Sequence, residues 1–165
     1  MREVSKEDKL FYFERNFFTL DGLWVIETEK ETNWETALKI DRAVWRKLLN
    51  IIIRRIKEYL KIETNTLKDL VEILTFRWSI EGWEYNIMKN ENNKVLIEIH
   101  KCPYKAMMDR NPERHDKISS ICRKMCIPFY KEVAQDFNSK IKLERNKSMG
   151  LGSNICDFYF KSEEK

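Results

Sequence analysis

Apolar positions in the first half of the chain recur every three or four residues, the period of an amphipathic helix. Leu10, Phe13 and Phe17 keep that spacing and predict a helix from about Lys6 to Phe18. Thr19 or Asp21 is placed to cap a second helix through Leu23, Trp24 and Ile26. Asn33 suits the N-cap of the longest helix, Trp34 to Leu60. Its apolar stripe reads Trp34, Leu38, Val44, Trp45, Leu48, Ile52 and Ile56, with Tyr59 near the end. Thr66 opens a shorter helix carrying Leu67, Leu70, Val71 and Leu74.

The period then changes to two. Trp83, Tyr85 and Ile87 alternate with Glu84, Asn86 and Met88, and Val95, Ile97 and Ile99 alternate again. Asn90-Glu91-Asn92-Asn93 between them is turn chemistry, so the segment predicts a β-hairpin. Pro103 ends its second strand. Tyr104 to Asp109 reads as a helical turn, followed by a helix from about Glu113 to Phe137 that Pro128 should kink or divide near Cys126. Lys140 to Arg145 and Asn154 to Lys161 read as two further strands, joined through Gly150 and Gly152. The order predicts an α+β class, with N-terminal helices packed on an antiparallel sheet of two hairpins and a long helix between the hairpins.

The length of 165 residues predicts one domain, 1–165, with a helical part at 1–80 and a cysteine-bearing α+β part at 81–165. Apolar residues at 42% and charged residues at 35% are a globular composition. No apolar run approaches the roughly 18 residues of a membrane span. The charged start, Met1-Arg2-Glu3-Val4, lacks the apolar segment of a secretory signal, which predicts a cytoplasmic location. The net charge is +4, from 31 basic and 27 acidic residues largely interspersed. No one-sided basic stripe is present, which argues against nucleic acid as a partner.

Cysteine is the residue whose placement changes the picture. All four lie in the last 64 residues, as Cys102, Cys122, Cys126 and Cys156 in the pattern C-x19-C-x3-C-x29-C. In a reducing compartment such a group reads as metal or redox ligands before disulfides. Cys122 and Cys126 are four apart on a predicted helix, so their Cβ atoms lie about 5–6 Å apart on one face. Zinc–sulfur bonds of about 2.3 Å put tetrahedral thiolates a little under about 4 Å apart, a gap that side-chain rotation closes. Cys102 at a strand end and Cys156 within a strand complete a candidate zinc site, with a [4Fe–4S] cluster as the alternative. Lys101, Arg123 and Lys124 flank these cysteines and are placed to offset thiolate charge. Four unrelated reduced thiols are the plainer reading.

His100 shares strand parity with Glu98 and Cys102, as a candidate ligand or ligand support, and otherwise reads as a surface histidine. His115 reads as a solvated helix start. Cys102 beside His100 is also a candidate nucleophile–base pair, without an identifiable third group. No catalytic residue is assigned, and no Gly-rich phosphate loop, HExxH, GxSxG or EF-hand pattern occurs. Five tryptophans and nine phenylalanines read first as core. The functional alternative is an apolar ligand pocket walled by Trp24 and Trp45, with Arg42 or Arg46 holding a carboxylate.

The C-terminal half resembles a known group. Cys122-Arg123-Lys124-Met125-Cys126, the strand Ile141-Lys142-Leu143-Glu144 and the run Gly152-Ser153-Asn154-Ile155-Cys156-Asp157-Phe158-Tyr159-Phe160 are similar to the end of the 4-vinyl reductase domain. Cys102-Pro103, and Asp21-Gly22-Leu23-Trp24 ahead of Asp41 and Trp45, resemble the related aminothiazoline-carboxylate hydrolase-like proteins. The resemblance implies a fold shared with ligand-binding domains of nitric-oxide sensing and Golgi transport. It implies a small, largely apolar ligand held between helices and sheet, cysteines that bind metal, and pairing through helices into a homodimer. It carries no hydrolase catalytic residue onto this chain. The expectation is therefore a sensory or carrier domain with a cysteine-ligated metal. A metal-dependent hydrolase or an iron–sulfur reductase subunit is the alternative.

Overall fold

The structure is a computed structural model and describes residues 3–163. The chain divides into two compact units, Met1–Asp41 and Arg42–Lys165.

In the first unit, α1 runs Lys6–Glu31 as one helix. Ser5 caps it: its hydroxyl accepts from the Asp8 amide at 3.0 Å, and the Asp8 carboxylate accepts from the Ser5 amide at 3.0 Å. The break expected near Thr19–Asp21 does not occur. Thr19 donates its hydroxyl back to the Arg15 carbonyl at 2.8 Å instead of capping a new helix, and Gly22 is absorbed in mid-helix. One mid-helix glycine costs about 1 kcal/mol, too little to end a run with no proline. Leu10, Phe13, Phe17, Leu20, Leu23 and Trp24 are exposed on α1.

Helix α2, Trp34–Leu60, starts in the first unit and continues through the second. The Asn33 side chain accepts from the Thr36 amide at 2.9 Å, the cap its sequence position predicts. The buried stripe is Leu38, Asp41, Trp45, Leu49 and Ile53. It lies about one residue around from the expected Leu48 and Ile52, and leaves Val44 and Tyr59 exposed.

The rest of the second unit is helices on a sheet. Helix α3, Leu67–Ile80, carries a Thr66–Asp69 capping box and buries Leu70, Ile73, Leu74, Arg77 and Trp78. Strands β1, Glu84–Glu91, and β2, Lys94–Lys101, form the hairpin. Strands β3, Ile141–Glu144, and β4, Cys156–Ser162, form the second antiparallel pair. The sheet order is β1-β2-β4-β3, so each strand has an antiparallel neighbour. Helix α3 contacts β4, and the helix Ile127–Phe137 contacts β3. Trp78 lies 4.8 Å from Phe158, centroid to centroid, and both are fully buried.

Between the hairpins run α4, Pro103–Asp109, then α5, His115–Ser120, a π-helical turn, Ile121–Cys126, and α6, Ile127–Phe137. Pro128 explains the π turn. It offers no N–H, and its ring crowds the carbonyl four residues back, at Lys124. The helix widens ahead of it, and the Ile127 amide reaches the Cys122 carbonyl, five residues away. Both cysteines of the C-x3-C pair sit in this turn.

Candidate metal centre

Three pieces of backbone carry the cysteines to one place. Ile99 of β2 pairs with Cys156 at the start of β4, so Cys102, just past the end of β2, emerges beside it. Cys102 caps α4, and its sulfur accepts from the Lys105 amide at 3.5 Å. The π turn supplies Cys122 and Cys126.

The connection between β3 and β4 folds back over them. Asp157 is buried, and its carboxylate accepts from the Asn146 and Lys147 amides at 2.8 and 2.7 Å. That fastening sets the short helical turn Met149–Leu151 against the sulfurs. The Met149 amide donates to Cys156 Sγ at 3.2 Å. The Ser148 hydroxyl bonds the Cys122 thiol. A β-carbon built on Gly150 would collide with Cys122 Sγ.

The thiols sense one another. Burial comes first in raising the thiols of Cys102, Cys122 and Cys126, with Cys122 pushed up to about 11. Charge on the neighbouring cysteines raises them further, and every pair among the four is coupled in this way. Cys156 is buried and the other three are partly so. As they stand, no three His, Cys, Asp or Glu side chains among the described residues close on a single ion. Buried neutral thiols have no charge drawing them together; ligation releases their protons and supplies it. The donor set, four thiols with backbone N–H groups aimed at two sulfurs, is of the kind that holds zinc or an iron–sulfur cluster.

The cations facing this centre are Arg77 and Arg145. Burial works against the Arg77 charge, but Tyr130, Glu81 and Tyr104 outweigh it and hold the guanidinium firmly protonated. Arg77 donates to Glu81 at 2.7 Å, to Tyr104 at 3.2 Å and to Tyr130 at 3.4 Å. The guanidinium carbon of Arg145 lies 3.7 Å from the centre of the Phe158 ring. Its charge opposes the effect of burial on Cys126 and Cys122. The flanking cations expected for that role point elsewhere: Lys101 bonds Glu84 at 2.7 Å, and Arg123 and Lys124 are exposed. Strand alternation carried a signal for Arg145, which shares the parity of the buried Ile141 and Leu143. Helix spacing carried one for Arg77, between Leu74 and Trp78.

The remaining candidates have ordinary surroundings. His100 is exposed and meets Asn86 at 3.2 Å, and His115 begins α5 in solvent. Trp24 is 57% exposed on α1. Trp45 is 4% exposed and packs edge-on against Tyr104 and Phe129. Arg42 bonds Glu132, and Arg46 holds Asp136 through two bonds of 2.7 Å, so α6 already supplies both with carboxylates. Among the described residues no helix is long and apolar enough to cross a membrane.

Fold and site together define an α+β domain with a gathered four-thiol centre. The chain belongs to a family of unknown function (DUF6125), whose model matches residues 2–150. That stretch holds Cys102, Cys122 and Cys126 and stops short of Cys156. No curated protein matches the chain.

Proposed function

We propose that this chain is a small-molecule-binding domain, sensory or carrier, organised by a cysteine-ligated metal, with zinc as the ion. The observation that carries the reading is the gathering of Cys102, Cys122, Cys126 and Cys156 from separate elements beneath the 146–153 connection. A buried thiol is an ordinary core residue. Four that sense one another, with backbone amides directed at two of them, form a donor set that a metal would use by taking their protons. The metal would be held by the four sulfurs and would tie the sheet to the helix that follows it. The resemblance to the 4-vinyl reductase and aminothiazoline-carboxylate hydrolase-like groups supports the same reading, including a cytoplasmic setting where thiols stay reduced. The ligand in this reading is small and largely apolar. The exposed apolar residues of α1 support pairing of two copies through helices.

A second reading, a [4Fe–4S] cluster serving a reductase, is favoured by the N–H bonds to Cys156 and Cys102, since such bonds tune cluster potentials. Metal analysis of protein purified without oxygen, with an absorption spectrum, separates the two. About one zinc per chain in a colourless sample is expected. About four irons in a brown sample would replace zinc by the cluster. Protein with neither, and unable to take up either on reconstitution, would overturn the metal centre.

A further inference from the structure

Arg145 carries its charge into the interior with no carboxylate partner among the described residues. By contrast, Arg77 has Glu81, Arg42 has Glu132 and Arg46 has Asp136. One residue past β3, Arg145 keeps the parity of the buried Ile141 and Leu143, and its guanidinium lies against Phe158, which is fully buried. There its Nε and Nη1 are buried and reach no hydrogen-bond acceptor among the described residues. Charged donors held dry with nothing to donate to are a cost that folding normally avoids. Relocating the head to solvent would be easy for a long side chain at a strand end. The stacking on Phe158 holds it in place instead.

Inside, the groups able to become negative beside it are thiols. The stacking on Phe158 puts Arg145 on the face that Cys156 shares two residues earlier on β4, and its side chain is in hydrogen-bond contact with that of Cys126. Four thiolates around a dication leave about two negative charges in a site of low polarity. Arg77 contributes little to that balance, because Glu81 already neutralises it. A guanidinium is suited to offset what is left. It stays protonated, and its planar donors fit sulfur acceptors from a fixed position.

We infer that Arg145 is the built-in counter-charge of the cysteine centre, its inward N–H groups placed to bond the metal-bound thiolates of Cys122 and Cys126. The inference rests on the metal-centre reading above and assigns Arg145 a positioning role beside the ligands.

The test is zinc affinity, measured on the whole chain by competition with a chromophoric chelator, together with melting curves with and without zinc. Arg145→Gln should weaken zinc binding about 10–100-fold, the usual effect of losing a group that supports ligands. Arg145→Lys should recover part of that loss. Without zinc, R145Q should melt no lower than the wild type, because a dry unpaired charge has been removed. Zinc affinity unchanged in R145Q, with equal losses of melting temperature in both forms, would reduce Arg145 to a stacking partner of Phe158 and overturn the inference. Should R145Q fail to fold, R145K decides on the same two readouts. A wild type that takes up no zinc would instead remove the metal centre, and this inference with it.

Discussion

Gly150 and Cys122 meet so closely that only a residue without a side chain fits. A β-carbon there would strike the sulfur and come within 3.0 Å of Cys122 Cβ and 3.2 Å of Ile118 Cγ2. The conflict is steric and involves two residues of the helix, so rotating one thiol does not relieve it. Gly150→Ala should therefore cost about 1–3 kcal/mol by overpacking. On the proposed metal-centre reading it should also lower metal content, because it displaces the Cys122 sulfur. Denaturant titration and metal analysis of the same sample check both outcomes. A variant as stable and as metal-loaded as the wild type would show that the connection does not press on the centre.

Arg77 and Glu81 form a buried ion pair at 2.7 Å, 4% and 12% exposed. The Glu81 carboxylate also accepts from Trp83 Nε1 at 3.0 Å. Glu81→Gln leaves the guanidinium inside without its countercharge and should cost about 3–5 kcal/mol. The double variant R77M/E81Q should recover much of that, because it removes both charges. A urea double-mutant cycle measures the coupling. Additive losses would mean that the pair is not mutually dependent.

Asp41 is buried on α2, and burial first, then the charge of Asp21, pushes its carboxyl up to about 7. An ordinary aspartate in the unfolded chain ionises near about 3.9. The protonated folded form thus favours folding below about pH 4, and that advantage is lost as pH rises toward neutrality. Asp41→Asn should stabilise the protein by about 1–3 kcal/mol at pH 8 and leave stability at pH 4 unchanged. Thermal melts across that range test it, and an equal effect at both ends would contradict the shifted carboxyl.

Much of the fold was legible because periodicity reports which face is buried. Helices α2 and α3, both hairpins and the α+β order follow from spacing of three to four, then two. Thr19 and Asp21 suggested a break in α1 because they are cap-type residues. A cap residue acts as one only where the backbone leaves the helix, and nothing at Leu20–Gly22 forces it to leave. Pro128 announced a disturbance near Cys126, but whether a proline kinks a helix or widens it into a π turn depends on what packs around it. At the site, the cysteine types and the helical proximity of Cys122 to Cys126 were readable. The cations were not, because sequence neighbours of a cysteine point away from it as often as toward it. Arg145 and Arg77 face the thiols through strand parity and helix phase instead. The role of Gly150 was hidden for another reason. It looked like turn freedom, yet what the position needs is room for a sulfur atom.

Consecutive residues of β4 grip the same overlying segment from two directions: Cys156 through the Met149 amide, Asp157 through the amides of Asn146 and Lys147. The cover therefore cannot lift as a simple flap hinged at one end. Opening it means letting go of the Cys156 sulfur and the Asp157 carboxylate together, so access to the thiols beneath becomes tied to slippage of the sheet itself.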